Sequence, residues 1–242
     1  MDFNKVLDQA ERQQIDSWLK PILAGLEKQV EDLFAGESSG HDKYHLIRVR
    51  NLALQIQAAE GGNRPVIGIA AFLHDLHRVM RKDEKSRYYT PHESLPAVAR
   101  IMESVAVPAD LIESVLHCVQ YHEEYGFNAT GKTVNDLETL IIQDADNLDA
   151  MGSIGIARGF MYAGAHGIPM YLPEVPLPLA TDYNEGVHSQ SEIHHFPAKL
   201  LRLKENMNTE TAKGLAESRE TMLLAFLIQF LAEWKNCGIA CA

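Results

Sequence analysis

The sequence has few cysteines and no long uninterrupted apolar run, and each shortage excludes a class of protein. Cys118, Cys237 and Cys241 lack the spacing of a metal cluster or a disulfide framework, so we expect reduced thiols. The most apolar stretch, residues 222–234, is interrupted by polar side chains such as Gln229, which argues against a membrane span. The N-terminal residues are polar and do not form a secretory signal. We therefore expect a cytoplasmic protein.

Basic residues are also in short supply. The chain has 22 Lys and Arg against 33 Asp and Glu, a net charge of −11. Nucleic-acid binding depends on neutralising phosphates with basic side chains, so this composition argues against a nucleic-acid surface. It leaves room for a small phosphorylated substrate such as a nucleotide, because a bound divalent cation adds local positive charge.

Strand-like alternation is missing as well, and helical periodicity dominates, so the predicted fold class is all-α. With 242 residues the chain is long enough to bury a core without disulfides. We expect an N-terminal helical segment over 1–39, divided into two helices at Pro21. One continuous helical domain over 40–235 and a tail over 236–242 follow. Pro65 opens a helix that is apolar nearly all round and is predicted to be central in the core.

Two further segments have roles that the sequence leaves open. Residues 164–190 are rich in proline and have no clear period. Such a segment is typical of a lid, a binding loop or an interface arm, but also of a surface excursion without function. The C-terminal helix, about 209–234, is apolar enough to join the core or to form the surface of a homodimer.

Imidazole and carboxylate side chains interrupt three apolar helices. His74 and Asp75 end the helix that Pro65 opens, where a buried carboxylate needs a partner. His45 lies on a helix whose apolar stripe faces the same core, and Asp146 lies where a polar tripeptide interrupts another apolar helix. Two imidazoles and two carboxylates suit a divalent ion such as Mn, Fe, Ni, Co, Zn or Mg. We predict that these residues bind the ion and leave coordination positions open, as a hydrolase requires.

The order of these residues resembles the HD-domain phosphohydrolase superfamily. The matching motifs are HLIRV at His45, AAFLHDL at His74 and Asp75, and DADNLDAMG around Asp146. The sequence is similar in particular to a bacterial subfamily of small HD hydrolases of the YedJ type. Members of that subfamily carry a His-Asp pair before the first ligand, as in GHDKYH here. They also carry an HF-x-x-KLL pattern, which begins here at His195.

The resemblance implies an all-α fold and metal-dependent hydrolysis of a phosphoanhydride or phosphoester, in a nucleotide, by a water that the ion activates. Some relatives cleave nucleoside triphosphates to monophosphate and pyrophosphate, so a nucleoside triphosphate pyrophosphohydrolase is expected. A cyclic-nucleotide phosphodiesterase, a phosphomonoesterase and a non-catalytic metal or nucleotide sensor stay open as alternatives. Stringent-response hydrolases carry an acidic pair where this chain has His77 and Arg78, which argues against that branch.

Several side chains are expected to act beside the four ligands. Asp75 is the natural bridge if a second ion binds, and His122 is a candidate base, substrate contact or ligand of that ion. Lys199, Arg158 and Arg48 are candidates for binding phosphate oxygens, because one divalent ion cannot neutralise a transferring phosphoryl group. Each of these cations, taken alone, is more typical of a structural ion pair.

Three acidic residues near the motifs have separate expectations. Asp42 is predicted to cap the helix that carries His45. Asp149 is expected to hydrogen-bond a ligand instead of binding the ion, and Asp144 is undecided. Three histidines have roles that the sequence leaves open: His41, His92 and His117.

Overall fold

The computed structural model describes residues 3–81, 88–124, 134–178 and 189–236, with side chains from residue 13 onward. Within these ranges the fold is all-α and contains no strand, which confirms the predicted class. The α-helices are α1 (Phe3–Val30), α2 (Lys43–Glu60), α3 (Arg64–Leu73), α4 (Pro91–Ser104), α5 (Ala109–Tyr121), α6 (Leu137–Asp149), α7 (Gly152–Ala165), α8 (Glu192–Ala198) and α9 (Glu210–Asn236). Shorter 3-10 helices follow α1, α3 and α8 at Glu31–Phe34, Leu76–Arg78 and Leu200–Asn206.

Helix α1 shows that the prediction of a break at Pro21 was wrong. The helix runs unbroken through Pro21 to Val30. Proline removes the hydrogen bond to the carbonyl four residues earlier, here that of Ser17. Both residues are exposed, so water can replace the missing N–H. The buried Leu19 and Leu23, one on each side of the proline, hold both halves of the helix on the core.

Helix α3 lies at the centre of the fold, as its continuous apolar sequence predicted. Every residue from Pro65 to Leu73 is buried, and α1, α2, α5 and α6 pack around the helix. Asn63 begins the helix by accepting a hydrogen bond from the amide of Val66. The polar residues that follow Leu73 are therefore attached to a fully buried element and have little freedom to move.

Helices α2 and α6 contact each other and α3, and they bring two further polar side chains to the end of α3. Asp42 caps α2 as predicted, accepting a hydrogen bond from the amide of His45 at 2.8 Å. This cap fixes His45 in the first turn of α2. Gly61, with a φ of 89°, ends the helix in a conformation that favours glycine.

Helices α7, α8 and α9 contact one another, and α9 also lies against α2 and α6. Asp144 on α6 stabilises the start of α9. It accepts hydrogen bonds from the amides of Asn208 and Thr209, just before that helix, at 2.7 and 2.8 Å. The helical stretch before α9 is divided at Lys199 into α8 and a 3-10 helix. Pro197 explains the division, because it removes one helical hydrogen bond just before the change.

Parts of two predicted segments lie outside the described residues. Residues 166–178 follow α7 without regular structure, and 179–188 are not described. Cys237 and Cys241 also fall outside, whereas Cys118 is free and buried in the core. Among the described helices, none combines the length and apolarity that crossing a membrane requires.

Candidate metal centre

The four predicted ligands come together at the C-terminal end of α3. Nε2 of His45 lies 3.4 Å from Oδ2 of Asp75 and 3.5 Å from Oδ1 of Asp146. Nε2 of His74 lies 3.7 Å from the same two oxygens. His45, His74 and Asp146 have ligating atoms that all lie within 4.8 Å of one another and could hold one ion, and Asp75 lies beside both imidazoles. These residues are called the ligand quartet below.

The ring nitrogens that point into the quartet have no hydrogen-bond partner among the described residues. These atoms are Nε2 of His45 and His74 and, beside them, Nε2 of His122, and all are buried. The other nitrogen of each ring is held: Nδ1 of His74 and His122 by backbone carbonyls at 2.9 and 2.8 Å, and Nδ1 of His45 by Asp149 at 2.8 Å. Unpaired buried nitrogens are costly, and rings fixed in this way are typical of metal ligands. The donor set therefore fits a divalent cation.

The charges in the quartet point to the same conclusion. Burial opposes a charge on His74, yet the carboxylates of Asp75 and Asp146 raise the pKa of His74 to about 9. Burial also works against ionised carboxyls, but Arg78 and His74 hold the pKa of Asp75 well below its usual range. His74 and His45 do the same for the pKa of Asp146. The quartet thus favours a positive charge at its centre, and a divalent ion can take the place of the His74 proton.

Asp149 connects the quartet to two arginines. Its Oδ2 accepts from Nδ1 of His45 at 2.8 Å, Arg48 donates two hydrogen bonds at 2.8 and 3.0 Å, and Arg158 donates one at 3.0 Å. Burial alone would raise the pKa of Asp149, but these donors lower it to about 2. The geometry agrees with the role expected of Asp149. Arg48 and Arg158, expected at phosphate oxygens, are both engaged by this carboxylate.

A second set of ligating atoms adjoins the quartet and shares Asp75. Nε2 of His122 lies 3.6 Å from Oδ1 of Asp75. His74, Asp75 and His122 have ligating atoms within 4.8 Å of one another, as do His45, His74 and Asp146. The two groups share His74, whose single free nitrogen can bind only one ion. A second ion would therefore be held by His122 and Asp75, whose Oδ1 faces His122 while its Oδ2 faces His45. His122 was expected in this region, and the structure places it there.

A third group consists of Asp75, His77 and Glu123, and no sequence pattern predicts it. Arg78 lies in the same place, donating to Oδ1 of Asp75 at 2.7 Å and pairing with Glu123. Burial would raise the pKa of Glu123, but His77 and Arg78 lower it to about 2. The guanidinium already supplies a positive charge here, so this group is less suited to a cation than the other two.

A cavity of about 400 Å³ lies beside the quartet. Its wall includes Arg78 and Arg158, which bind carboxylates of the quartet and of Asp149, and it includes Lys199, a predicted phosphate contact. His41 also lines it, with its ring centre 5.9 Å from that of His45. Burial lowers the pKa of His41 to about 3, so this ring is neutral. The cavity is large enough for a small molecule.

The cavity wall contains one carboxyl that sequence reasoning missed. Glu192 is only 4% exposed, and its Oε1 is buried without a partner in the described structure. Burial raises the pKa of Glu192 to about 7. The sequence carries no signal for this environment, because an acidic residue in the first turn of a helix is ordinary.

The two histidines left open on α4 and α5 lie elsewhere. His92 is exposed, and the side chain of His117 is 47% exposed and hydrogen-bonds Asp136 at 2.9 Å. Neither belongs to a group of described residues that could hold an ion.

Comparisons with known proteins agree with this geometry. The family model of the HD domain matches residues 43–151, which include the whole quartet. YpgQ of Bacillus subtilis strain 168 is 36% identical over 228 residues, 93% of this chain and 93% of YpgQ. The crystal structure of Bacillus subtilis YpgQ in complex with ADP has a TM-score of 0.68 and 29% identity, covering 89% of this chain and 96% of that one. An HD-superfamily hydrolase from Bacillus thuringiensis gives a TM-score of 0.66 and 33% identity over 90% of this chain and 98% of that one.

Proposed function

Because the chain belongs to the HD-domain family and carries a His/Asp cluster suited to a divalent metal, we propose that this hydrolase acts on nucleotides. The reaction is hydrolysis of a phosphoanhydride at the ligand quartet. The expected products from a nucleoside triphosphate are the monophosphate and pyrophosphate.

One observation carries the proposal: buried, unpaired imidazole nitrogens and ionised carboxylates meet beside a cavity. A site that only stabilises the fold is usually closed around its ion. Here Asp146 keeps 18% of its side chain exposed, and the cavity wall contains the arginines bound to Asp75 and Asp149. The cavity thus reaches Arg78, the direct hydrogen-bond partner of Asp75, which favours an enzyme over a sensor.

When bound, the ion supplies an acidified water and positive charge for phosphoryl oxygens. The chain's own residues supply the rest. Arg78, fixed by Asp75, presents a guanidinium to the cavity, and guanidinium groups bind phosphate oxygens well. Lys199 lines the same wall and is the second candidate for this contact.

His122 is suited to handle a proton. Its Nδ1 donates to the carbonyl of Val119 at 2.8 Å, so Nε2 is the acceptor nitrogen. That acceptor is buried and 3.6 Å from Asp75. It can take a proton from a water at the quartet or bind a second ion.

Two observations favour a nucleotide as the substrate. The cavity of about 400 Å³ is within the range of small-ligand sites. YpgQ, whose crystal structure contains ADP, shares the fold over 89% of this chain. The bound ADP belongs to YpgQ, and its extension to this chain is part of the proposal.

A substrate panel tests the proposed function. The purified protein is incubated with Mn²⁺, Ni²⁺, Co²⁺ or Mg²⁺ and with nucleoside triphosphates, cyclic nucleotides or monophosphates, and the products are separated by ion-exchange chromatography. Pyrophosphate from triphosphates supports the proposal. An opened cyclic nucleotide or orthophosphate from a monophosphate would assign a phosphodiesterase or a phosphomonoesterase instead. Metal binding without any product would indicate a non-catalytic sensor instead of an enzyme.

A further inference from the structure

Among the described residues that line the cavity, Glu192 has a buried carboxyl oxygen without a hydrogen-bond partner. We infer that Glu192 determines substrate specificity by accepting a hydrogen bond from an N–H or O–H group on the base or sugar of the nucleotide. Glu192 has this role only if the chain acts on nucleotides as proposed above.

The side chain of Glu192 makes no hydrogen bond within the part of the chain that the structure describes. Its Oε1 has no hydrogen-bond partner among the described residues, and its backbone amide is already held by the carbonyl of Pro169 at 3.0 Å. The neighbouring Ser191 and His194 are paired with each other at 2.6 Å. A buried carboxyl without a donor is costly, so a structural role does not account for it.

The fold leaves space for the carboxyl of Glu192. A Cβ added at Gly159 would lie 2.1 Å from Oε1 of Glu192, closer than any real contact. Any other residue at this position of α7 would push the carboxyl aside. Gly159 and Glu192 both line the cavity, so the carboxyl lies where a ligand can contact it.

The charges around the cavity restrict the kind of ligand that it suits. Burial is the cause of the raised pKa of Glu192, with no contribution from a charged neighbour. This carboxyl therefore offers a phosphate no attraction, whereas Arg78 and Lys199 line the same cavity and attract it. The cavity therefore suits a ligand with an anionic end and a neutral, hydrogen-donating end. A nucleotide has both, with its donors on the exocyclic amine, the ring N–H or the sugar hydroxyls.

Pairs of substrates that differ in one donor test the role of Glu192. The pairs are GTP with ITP, ATP with purine riboside triphosphate, and each ribonucleotide with its 2′-deoxy form. We expect the natural protein to prefer the donor-bearing member of at least one pair by about tenfold in kcat/KM. Glu192→Leu should abolish that preference by raising the KM of the preferred member to that of the other member.

Gly159→Ala is the matched variant, because it displaces the carboxyl without removing it. It should reduce the same preference, and thermal unfolding shows whether both variants are folded. Unchanged preferences in either folded variant would overturn the role of Glu192, as would the lack of any preference in the natural protein. Calorimetric titration with the corresponding diphosphates separates binding from turnover. If no nucleotide is either bound or hydrolysed, the proposed function is refuted, and the role of Glu192 with it.

Discussion

Asp75 and Glu192 are both buried carboxyls near one cavity, but their surroundings differ. Arg78 and several imidazoles surround Asp75 and hold its pKa well below its usual range, against the effect of burial. Glu192 has no charged neighbour to offset burial, and its pKa rises to about 7. The fold therefore supplies compensating charge to the carboxyl at the quartet and none to the carboxyl in the cavity wall.

Removal of a quartet carboxylate should have the largest effect. Asp146→Ala deletes one ligand and leaves the imidazoles facing an incomplete site. We expect metal content, measured by plasma mass spectrometry, and turnover to fall by more than about a hundredfold. An exposed histidine gives the matched control, since His92→Ala should change neither. Full metal and full activity in Asp146→Ala would show that the quartet is not the metal site.

Removal of the Asp149 carboxylate, which accepts a hydrogen bond from Nδ1 of His45, should have the next largest effect. Asp149→Asn weakens the contacts to His45, Arg48 and Arg158 while keeping the side-chain shape. We expect about a 10- to 100-fold loss of metal affinity or activity, measured by titration with Mn²⁺. Asp144→Asn is the control, because it weakens the start of α9 and should lower the melting temperature without changing metal affinity. Equal metal affinities in both variants would contradict the role of Asp149.

Neutralising Glu192 should make the folded protein more stable at high pH. A pKa raised from 4.5 to about 7 means that the folded state binds more protons than the unfolded state between these values. Stability from this group is therefore present below about pH 4.5 and is lost as pH rises towards 7. Glu192→Gln should be more stable than the natural protein at pH 8, by about 1–3 kcal/mol, and nearly equal at pH 5. Urea unfolding of the metal-free protein at both pH values measures this, and a constant difference would refute the raised pKa.

The smallest effect is expected at a surface ion pair. His117 is half exposed and bonds Asp136, so His117→Ala should change the free energy of unfolding by no more than about 1 kcal/mol. Turnover should stay the same, because the residue lies outside the groups that could hold an ion. A large loss of activity in this variant would mean that the site extends beyond the cavity. Steady-state kinetics with the best substrate of the panel decides this.

Most of the helical fold could be predicted from the sequence, because apolar periodicity and capping residues leave local signals. Asp42 and Gly61 mark the ends of α2, and the apolar run after Pro65 marks α3 as central. The break expected at Pro21 failed because tertiary packing on both sides outweighs one lost hydrogen bond.

The meeting of the quartet could also be predicted, since each member interrupts an apolar helix and matches a family motif. Arg78 and Glu192 could not be predicted in the same way. Their surroundings depend on contacts far apart in the chain, with Glu123 for Arg78 and with Gly159 for Glu192. Neither contact leaves a local pattern.

The complete burial of α3 has a practical consequence. His74 and Asp75 follow directly from this helix, so an ion that they bind is coupled to the packing of the whole core. An ion that binds the folded chain and not the unfolded chain adds stability in proportion to the logarithm of its concentration over its dissociation constant. The melting temperature should therefore rank Mn²⁺, Ni²⁺, Co²⁺ and Mg²⁺ by their affinity for the folded chain, without any substrate present.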